Sequence, residues 1–190
     1  MRKLLFILAS LLVSLPSLMA QHDMAEIKQR VTDAQKKLYG TTLDFVQTKH
    51  TPLLKEDAVS HGTLTIYGDN NIRWQYTEPT DLAFVVNGDS TYTISNGKRN
   101  DLSGSSGRMT RGIAQLISAL ATGDELFNDK IFDCVIDNEK CQITLTPKRR
   151  DMKRVMQSIL LSFDKQTYII QSVRIFEKKD SNTLIVFSLR

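Results

Sequence analysis

The sequence predicts an α+β fold that is mostly antiparallel β, a curved, incomplete barrel with an N-terminal helix and an inserted lid helix over an apolar cavity. Three features predict it: twofold apolar alternation from residue 41 onward, a helical stripe before it, and a second helical stripe that interrupts it behind a Ser/Gly-rich lead. In the first stripe, Met24, Ile27, Val31, Ala34 and Leu38 recur at intervals of three and four. Asp23 followed by Glu26 resembles a capping box, and Gly40 supplies a stop. A helix this short is marginal alone, so it is expected to seal one end of a sheet. Strands follow at Thr42–Lys49, Gly62–Tyr67, Ile72–Thr77, Leu82–Asn87 and Thr91–Ser95, most of them separated by turn residues such as GDNN, EPT and NGDS. Ile72, Trp74 and Tyr76 share one face of their strand, with Arg73 and Gln75 on the other. Leu82, Phe84 and Val86 alternate in the same way.

The middle of the chain breaks this rhythm. Ser103-Gly104-Ser105-Ser106-Gly107 reads as a flexible joint leading into a helix with Met109, Ile113, Leu116, Ile117 and Leu120 on one side, ended by Gly123. Strands resume at Ile131–Ile136, Cys141–Pro147, Val155–Phe163, Tyr168–Glu177 and Thr183–Leu189. About ten strands in one domain of this size are expected to curl into a barrel or half-barrel. A helix over the mouth of such a sheet would make an apolar cavity with a movable cover.

The ends and the charge narrow the class. Residues 1–20 have a basic start (Arg2, Lys3), an apolar run from Leu4 to Leu15, Pro16 and a small residue, Ala20, before a polar QHD. This is the layout of a cleavable signal peptide, and the run is shorter than the ~20 residues of a membrane-spanning helix. The expected mature chain, 21–190, is a single soluble domain. Of the 25 Lys and Arg, 23 remain against 21 acidic residues, which disfavours nucleic acid as a partner. The overall composition, 41% hydrophobic and 24% charged, is that of a globular protein.

Cys134 and Cys141 are the two cysteines. If Asp137-Asn138 formed a two-residue turn between FDCVI and CQITLT, they would stand directly opposite each other, at a separation that suits a disulfide. The alternative is two free thiols packed as small apolar residues. The spacing favours pairing, in a structural role.

Catalytic patterns are missing. There is no GxSxG, HExxH, GxxxxGK or GxGxxG, and His22, His50 and His61 lack metal-ligand spacing. No enzyme activity, metal or cofactor is therefore expected. The basic run Lys148, Arg149, Arg150, Lys153 and Arg154 reads most plainly as a solvated loop. Its functional reading is a docking patch for anionic headgroups or an acidic partner.

Four segments in tight order carry a resemblance: DFVQTK (Asp44–Lys49), SHGTLTIY (Ser60–Tyr67), IRWQYTEP (Ile72–Pro79) and VVNGDSTY (Val85–Tyr92). They resemble the periplasmic outer-membrane lipoprotein carrier family, LolA, whose members read F-x-Q-x-K, then a G-x-L strand, then R-W-x-Y-x-x-P. GIAQLISALATGDELF and ITLTPK look like the family's lid segment and a later strand motif. The resemblance implies a periplasmic half-barrel carrier of acylated lipoproteins. It would work between an inner-membrane ABC-type lipoprotein-releasing complex and an outer-membrane receptor, as a monomer without cofactor. The implied cavity is lined by Phe45, Leu64, Ile66, Ile72, Trp74, Tyr76, Leu82, Phe84 and Val86, under a lid formed by Met109, Ile113, Leu116, Ile117 and Leu120. Arg73 is the candidate lid latch, although alternation points it away from Trp74.

Two other classes stay open on the residues. One is a half-barrel of the same family that binds another lipid or senses a protein partner. The other is a lipid-processing enzyme, which would need a nucleophile and base beside the cavity.

Overall fold

Alternation of apolar and polar side chains produces eleven strands among the described residues, paired antiparallel in one sheet. The structure is a computed structural model that describes the chain at residues 15–102, 127 and 129–190, with side chains from residue 25 onward apart from residue 151. The strands are β1 (Thr41–His50), β2 (Ala58–Gly68), β3 (Asn71–Glu78), β4 (Leu82–Asn87), β5 (Ser90–Ser95), β6 (Lys98–Asp101), β7 (Phe132–Asp137), β8 (Gln142–Pro147), β9 (Met156–Phe163), β10 (Ile170–Glu177) and β11 (Asn182–Leu189). Among the described residues two helices accompany them, α1 (Leu15–Lys36) and α2 (Arg150–Val155). The strand order is β6-β5-β4-β3-β2-β1-β11-β10-β9-β8-β7, so the sheet is open and β6 and β7 form its two edges. Strands lie ~4.7–4.9 Å apart, so eleven laid flat would extend about 50 Å, several times a helix diameter of ~10–12 Å. Curling brings both wings toward α1. Val86 on β4 and Phe132 on β7 belong to one buried cluster with Val31 and Leu38 of the helix.

The helix stripe packs as its spacing predicts: Val31, Ala34 and Leu38 are all 1–2% exposed. Its start differs from the capping expectation, because α1 runs through Asp23 and the Asp23–Glu26 pair lies inside it. Glu26 instead binds Arg30 one turn on, at 2.6 Å. At the other end Gly40 adopts φ +78°, the left-handed turn glycine favours, and its N–H donates to Ile66 O on β2 at 2.7 Å. Gln35, fully buried, donates to the backbone carbonyl of Tyr168 at 3.2 Å. The helix thus crosses the sheet at the end where β1 begins, from the β7–β8 turn to β2. This is the helix end; the far end is where β1 finishes.

Local expectations are corrected at the β7–β8 turn with its cysteines, at the edge of the sheet and in the basic run. Cys134 pairs with Leu145 and Asp137 with Gln142, so the β7–β8 turn spans residues 138–141 and Cys141 sits in it at φ +53°. Asp137 closes that turn by accepting from the Lys140 N–H at 3.0 Å and Nζ at 2.9 Å. The two cysteines are therefore not opposed, and both are free thiols. A charged strand, β6, was invisible to alternation because all four of its residues, KRND, are exposed; charge on an edge strand blocks further pairing. The basic run predicted as a loop contains a helical turn, α2. The predicted lid residues Met109, Ile113, Leu116, Ile117 and Leu120 lie outside the described residues.

Candidate functional site

The motif F-x-Q-x-K becomes a surface because β1 alternates. Phe45, Gln47 and Lys49 all face the inside of the curved sheet, and each makes a different contact. Phe45 stands opposite Gly62 on β2 and Phe187 on β11. Gly62 leaves the ring its space, since a Cβ there would sit 2.7 Å from Phe45 Cε1 and closer still to Cζ and to the Gln75 carbonyl oxygen. The Phe45 ring stacks on Trp74 with centroids 4.1 Å apart, and Phe187 meets Trp74 edge-on at 6.0 Å. Tyr76 meets Phe45 at 5.4 Å and Phe84 at 6.3 Å, both edge-on. The result is an aromatic platform across β1, β3, β4 and β11, with geometries that favour ring quadrupoles as well as burial.

Polar groups border the platform toward the far end. Tyr76 Oη donates to Gln47 Oε1 at 2.9 Å. Burial pushes the Tyr76 phenol up, against the opposing pull of Trp74 and of that hydrogen bond. The Trp74 indole N–H is buried near this hydroxyl without completing a hydrogen bond. Beyond Gln47, Lys49 Nζ lies 3.1 and 3.0 Å from the two oxygens of Glu177, and Thr183 Oγ1 donates to the same carboxylate at 2.8 Å. With Lys49 43% and Glu177 25% exposed, this is a rim interaction whose worth is set by solvent screening.

The nine predicted cavity residues all lie on strands of this wing. Phe45, Leu64, Ile66, Ile72, Trp74 and Val86 are buried, and Tyr76, Leu82 and Phe84 are half-buried. None of them lines the two clefts that follow. One cleft, about 220 Å³, lies between α1 (Ile27, Arg30, Val31) and the β7–β8 hairpin (Ile136, Cys141, Ile143). The other, about 340 Å³, borders Leu43, Ile170, Phe187 and Leu189. Arg73 is on the outer face, where its Nη2 donates to Gln75 Oε1 at 2.5 Å, and Gln75 in turn donates to Asp81 at 2.6 Å. That position is the one alternation gives it, and the lid it would latch lies outside the described residues. On that outer face Ala83 and Val85 are also buried, beside Arg73, Gln75, Tyr92 and Ile94 in register. Lys148 of the basic run is tied to Asp133 at 2.9 Å and to the Asp129 carbonyl at 2.6 Å.

Sequence reasoning missed Gln47, Lys49, Glu177, Thr183 and Phe187. The alternation that singled out Phe45 places Gln47 and Lys49 beside it, so that signal was present. Glu177 and Thr183 come from strands about 130 residues away and gave none.

Among the described residues no three of His, Cys, Asp and Glu converge, and no helix is long and apolar enough to cross a membrane. What the fold and this face define is an open, curled antiparallel sheet with an aromatic inner face and a polar rim. The model of the family described as "Outer membrane lipoprotein carrier protein LolA" matches residues 36–189, and the chain belongs to that family. An outer-membrane lipoprotein carrier protein of Pseudoalteromonas translucida (strain TAC 125) is 34% identical over 85 residues, which are 45% of this chain and 41% of that protein. The match therefore spans less than half of that relative's length. Among solved structures, a LolA superfamily protein from Nitrosomonas europaea is similar over 87% of this chain and 93% of its own, with 12% identity and TM-score 0.44. The Pseudomonas aeruginosa MucA/MucB complex structure matches 88% of this chain and 56% of its own, with 10% identity and TM-score 0.45.

Proposed function

We propose that the protein is a soluble periplasmic carrier that holds the acyl chains of lipoproteins against the aromatic inner face and moves them from the inner to the outer membrane. In this reading residues 1–20 are a cleaved signal peptide and 21–190 one carrier domain. Cargo comes from an inner-membrane ABC-type releasing complex and passes to an outer-membrane receptor, with no chemical change. The observation that carries the reading is the platform of Phe45, Trp74, Tyr76, Phe84 and Phe187, together with membership of the lipoprotein carrier family.

The energetic need is plain. An acyl chain loses ~0.8 kcal/mol per CH₂ on leaving a membrane, on the order of 10 kcal/mol per chain. A carrier must replace that apolar contact yet release it, which a movable cover does by exchanging its own contacts for those of the cargo. The stripe Met109, Ile113, Leu116, Ile117 and Leu120 is the proposed cover. Topology supports this role, because the chain between β6 and β7 joins the two opposite edges of the sheet. Trp74 keeps a buried indole N–H without an acceptor, a donor that an ester carbonyl of an acyl group would satisfy.

Incubating the purified protein with inner-membrane vesicles that release lipoproteins should yield a soluble one-to-one complex with intact acyl chains. Phe84→Asp, at a half-buried position, and the pair Ile113→Asp and Ile117→Asp should each reduce that yield while leaving the sheet folded. A cleaved acyl product would make the protein an enzyme. A protein partner captured with no lipid under any condition would make it a sensor.

A further inference from the structure

The far end of the sheet gathers three connections that are distant in sequence. Strand order sets the β8–β9 connection with α2, the β10–β11 turn and the β1–β2 loop side by side. Direct contacts join them. Lys178 N–H donates to Val155 O at 3.4 Å, Gln157 Nε2 donates to Glu177 O at 3.0 Å, and His50 pairs in register with Asn182.

This rim carries two kinds of side chain together. Arg150, Lys153, Arg154, Lys178 and Lys179 are exposed and form no ion pair with a described carboxylate. Asp151 and Asp180 are the acidic residues of the two segments that hold them. Sequence alone joined three of these cations in one run; Lys178 and Lys179 join them only through the fold. Leu53 is 92% exposed and Leu54 58%, at the tip of the adjoining loop, with Val155 at 43% and Phe176 at 38% near the cations. Of the nearby carboxylates, Asp57 is taken by His50 at 2.8 Å and Glu177 by Lys49, while Glu56 is exposed next to Lys55 in the leucine loop.

We propose that this rim docks on an anionic lipid bilayer, with the five cations on headgroups and Leu53 and Leu54 entering the boundary between headgroups and acyl chains. An acidic protein surface would match the cations but would set two exposed leucines against charge. A bilayer interface accommodates both, since basic and apolar side chains reinforce one another there. The same end of the sheet carries Gln47, Tyr76 and Lys49, the polar border of the inner face, so docking turns that border toward the membrane. This goes beyond the carrier reading and needs no cargo.

Cosedimentation with phosphatidylcholine vesicles, with and without phosphatidylglycerol, tests it. The protein should bind the anionic vesicles and not the neutral ones, and salt should weaken binding. Lys178→Gln with Lys179→Gln should cut affinity roughly 25-fold, about fivefold per cation. Leu53→Ser with Leu54→Ser should lower it at low and high salt alike. Lys36→Gln with Lys37→Gln, exposed at the helix end, should leave it unchanged. Equal binding to neutral vesicles, no binding, or an equal loss in the Lys36 and Lys37 pair would overturn the proposal. Capture of an acidic protein without vesicle binding would assign the rim to that partner instead.

Discussion

Gly62→Ala tests the aromatic platform with a single methyl group. The added Cβ would lie 2.7 Å from Phe45 Cε1, with Phe45 Cζ and the Gln75 carbonyl oxygen nearer still. A flexible side chain could swing aside, but here one obstacle is main chain and the other is a ring already stacked at 4.1 Å on Trp74. Either β2 and β3 must separate where their register already shifts between His61 and Gly62, or Phe45 must leave the stack. Overpacking of this kind costs ~2–3 kcal/mol, which in a chain of this size lowers the melting temperature by about 4–12 °C. Thermal unfolding followed by circular dichroism measures the loss, and the near-ultraviolet band reports the packing of Trp74, the single tryptophan. Gly88→Ala is the control: nothing lies within 4 Å of its Cβ position, and its cost of ~1–2 kcal/mol comes from φ +57° alone. That variant should lose stability with an unchanged near-ultraviolet band. If Gly62→Ala keeps both its melting temperature and its band, the close packing of Phe45 on Gly62 is refuted.

Other outcomes follow from the same contacts. Thiol titration of unreduced, denatured protein should count two free thiols, and a count of zero would restore the disulfide. In the folded protein burial pushes both thiols up, with Lys28 opposing it at Cys134 and Asp164 adding to it at Cys141, so alkylation near pH 7 should be slow. Asp164 accepts from Thr167 N, Thr167 Oγ1 and Gln166 N at 2.8–3.0 Å, and these hydrogen bonds hold its carboxyl below the usual value. A depressed folded pKa gives stability that is present above the unfolded value of about 3.9 and is lost as pH falls through the folded one. Asp164→Asn should therefore flatten the acid limb of the stability profile below about pH 4, measured by urea unfolding. Tyr76→Phe removes the bond to Gln47 and should cost ~1 kcal/mol. Absorbance titration of the wild type should lose one late-ionising tyrosine in that variant, because burial raises the Tyr76 phenol.

Alternation is a local property, so the sequence by itself determined most of the strands and which side chains share a face. Phe45, Trp74, Tyr76 and Phe84 are legible that way, as are the Val31–Leu38 stripe and the placement of Arg73 away from Trp74. Register is not local. A two-residue turn at Asp137-Asn138 and the observed turn at residues 138–141 leave the alternation of FDCVI and CQITLT equally satisfied in kind. Asp137's bonds to Lys140 selected the second and left Cys134 opposite Leu145. The charged β6 has no apolar period to read, because an edge strand is held by backbone hydrogen bonds to β5 and repels further pairing with its side chains. Lys49 meets Glu177 across 128 positions of sequence, and Lys178 joins Arg154 at one rim, only because β1, β11, β10 and β9 are neighbours in the sheet. Side-chain periodicity fixes what each strand presents; strand order, set by long-range pairing, decides which of those presentations meet.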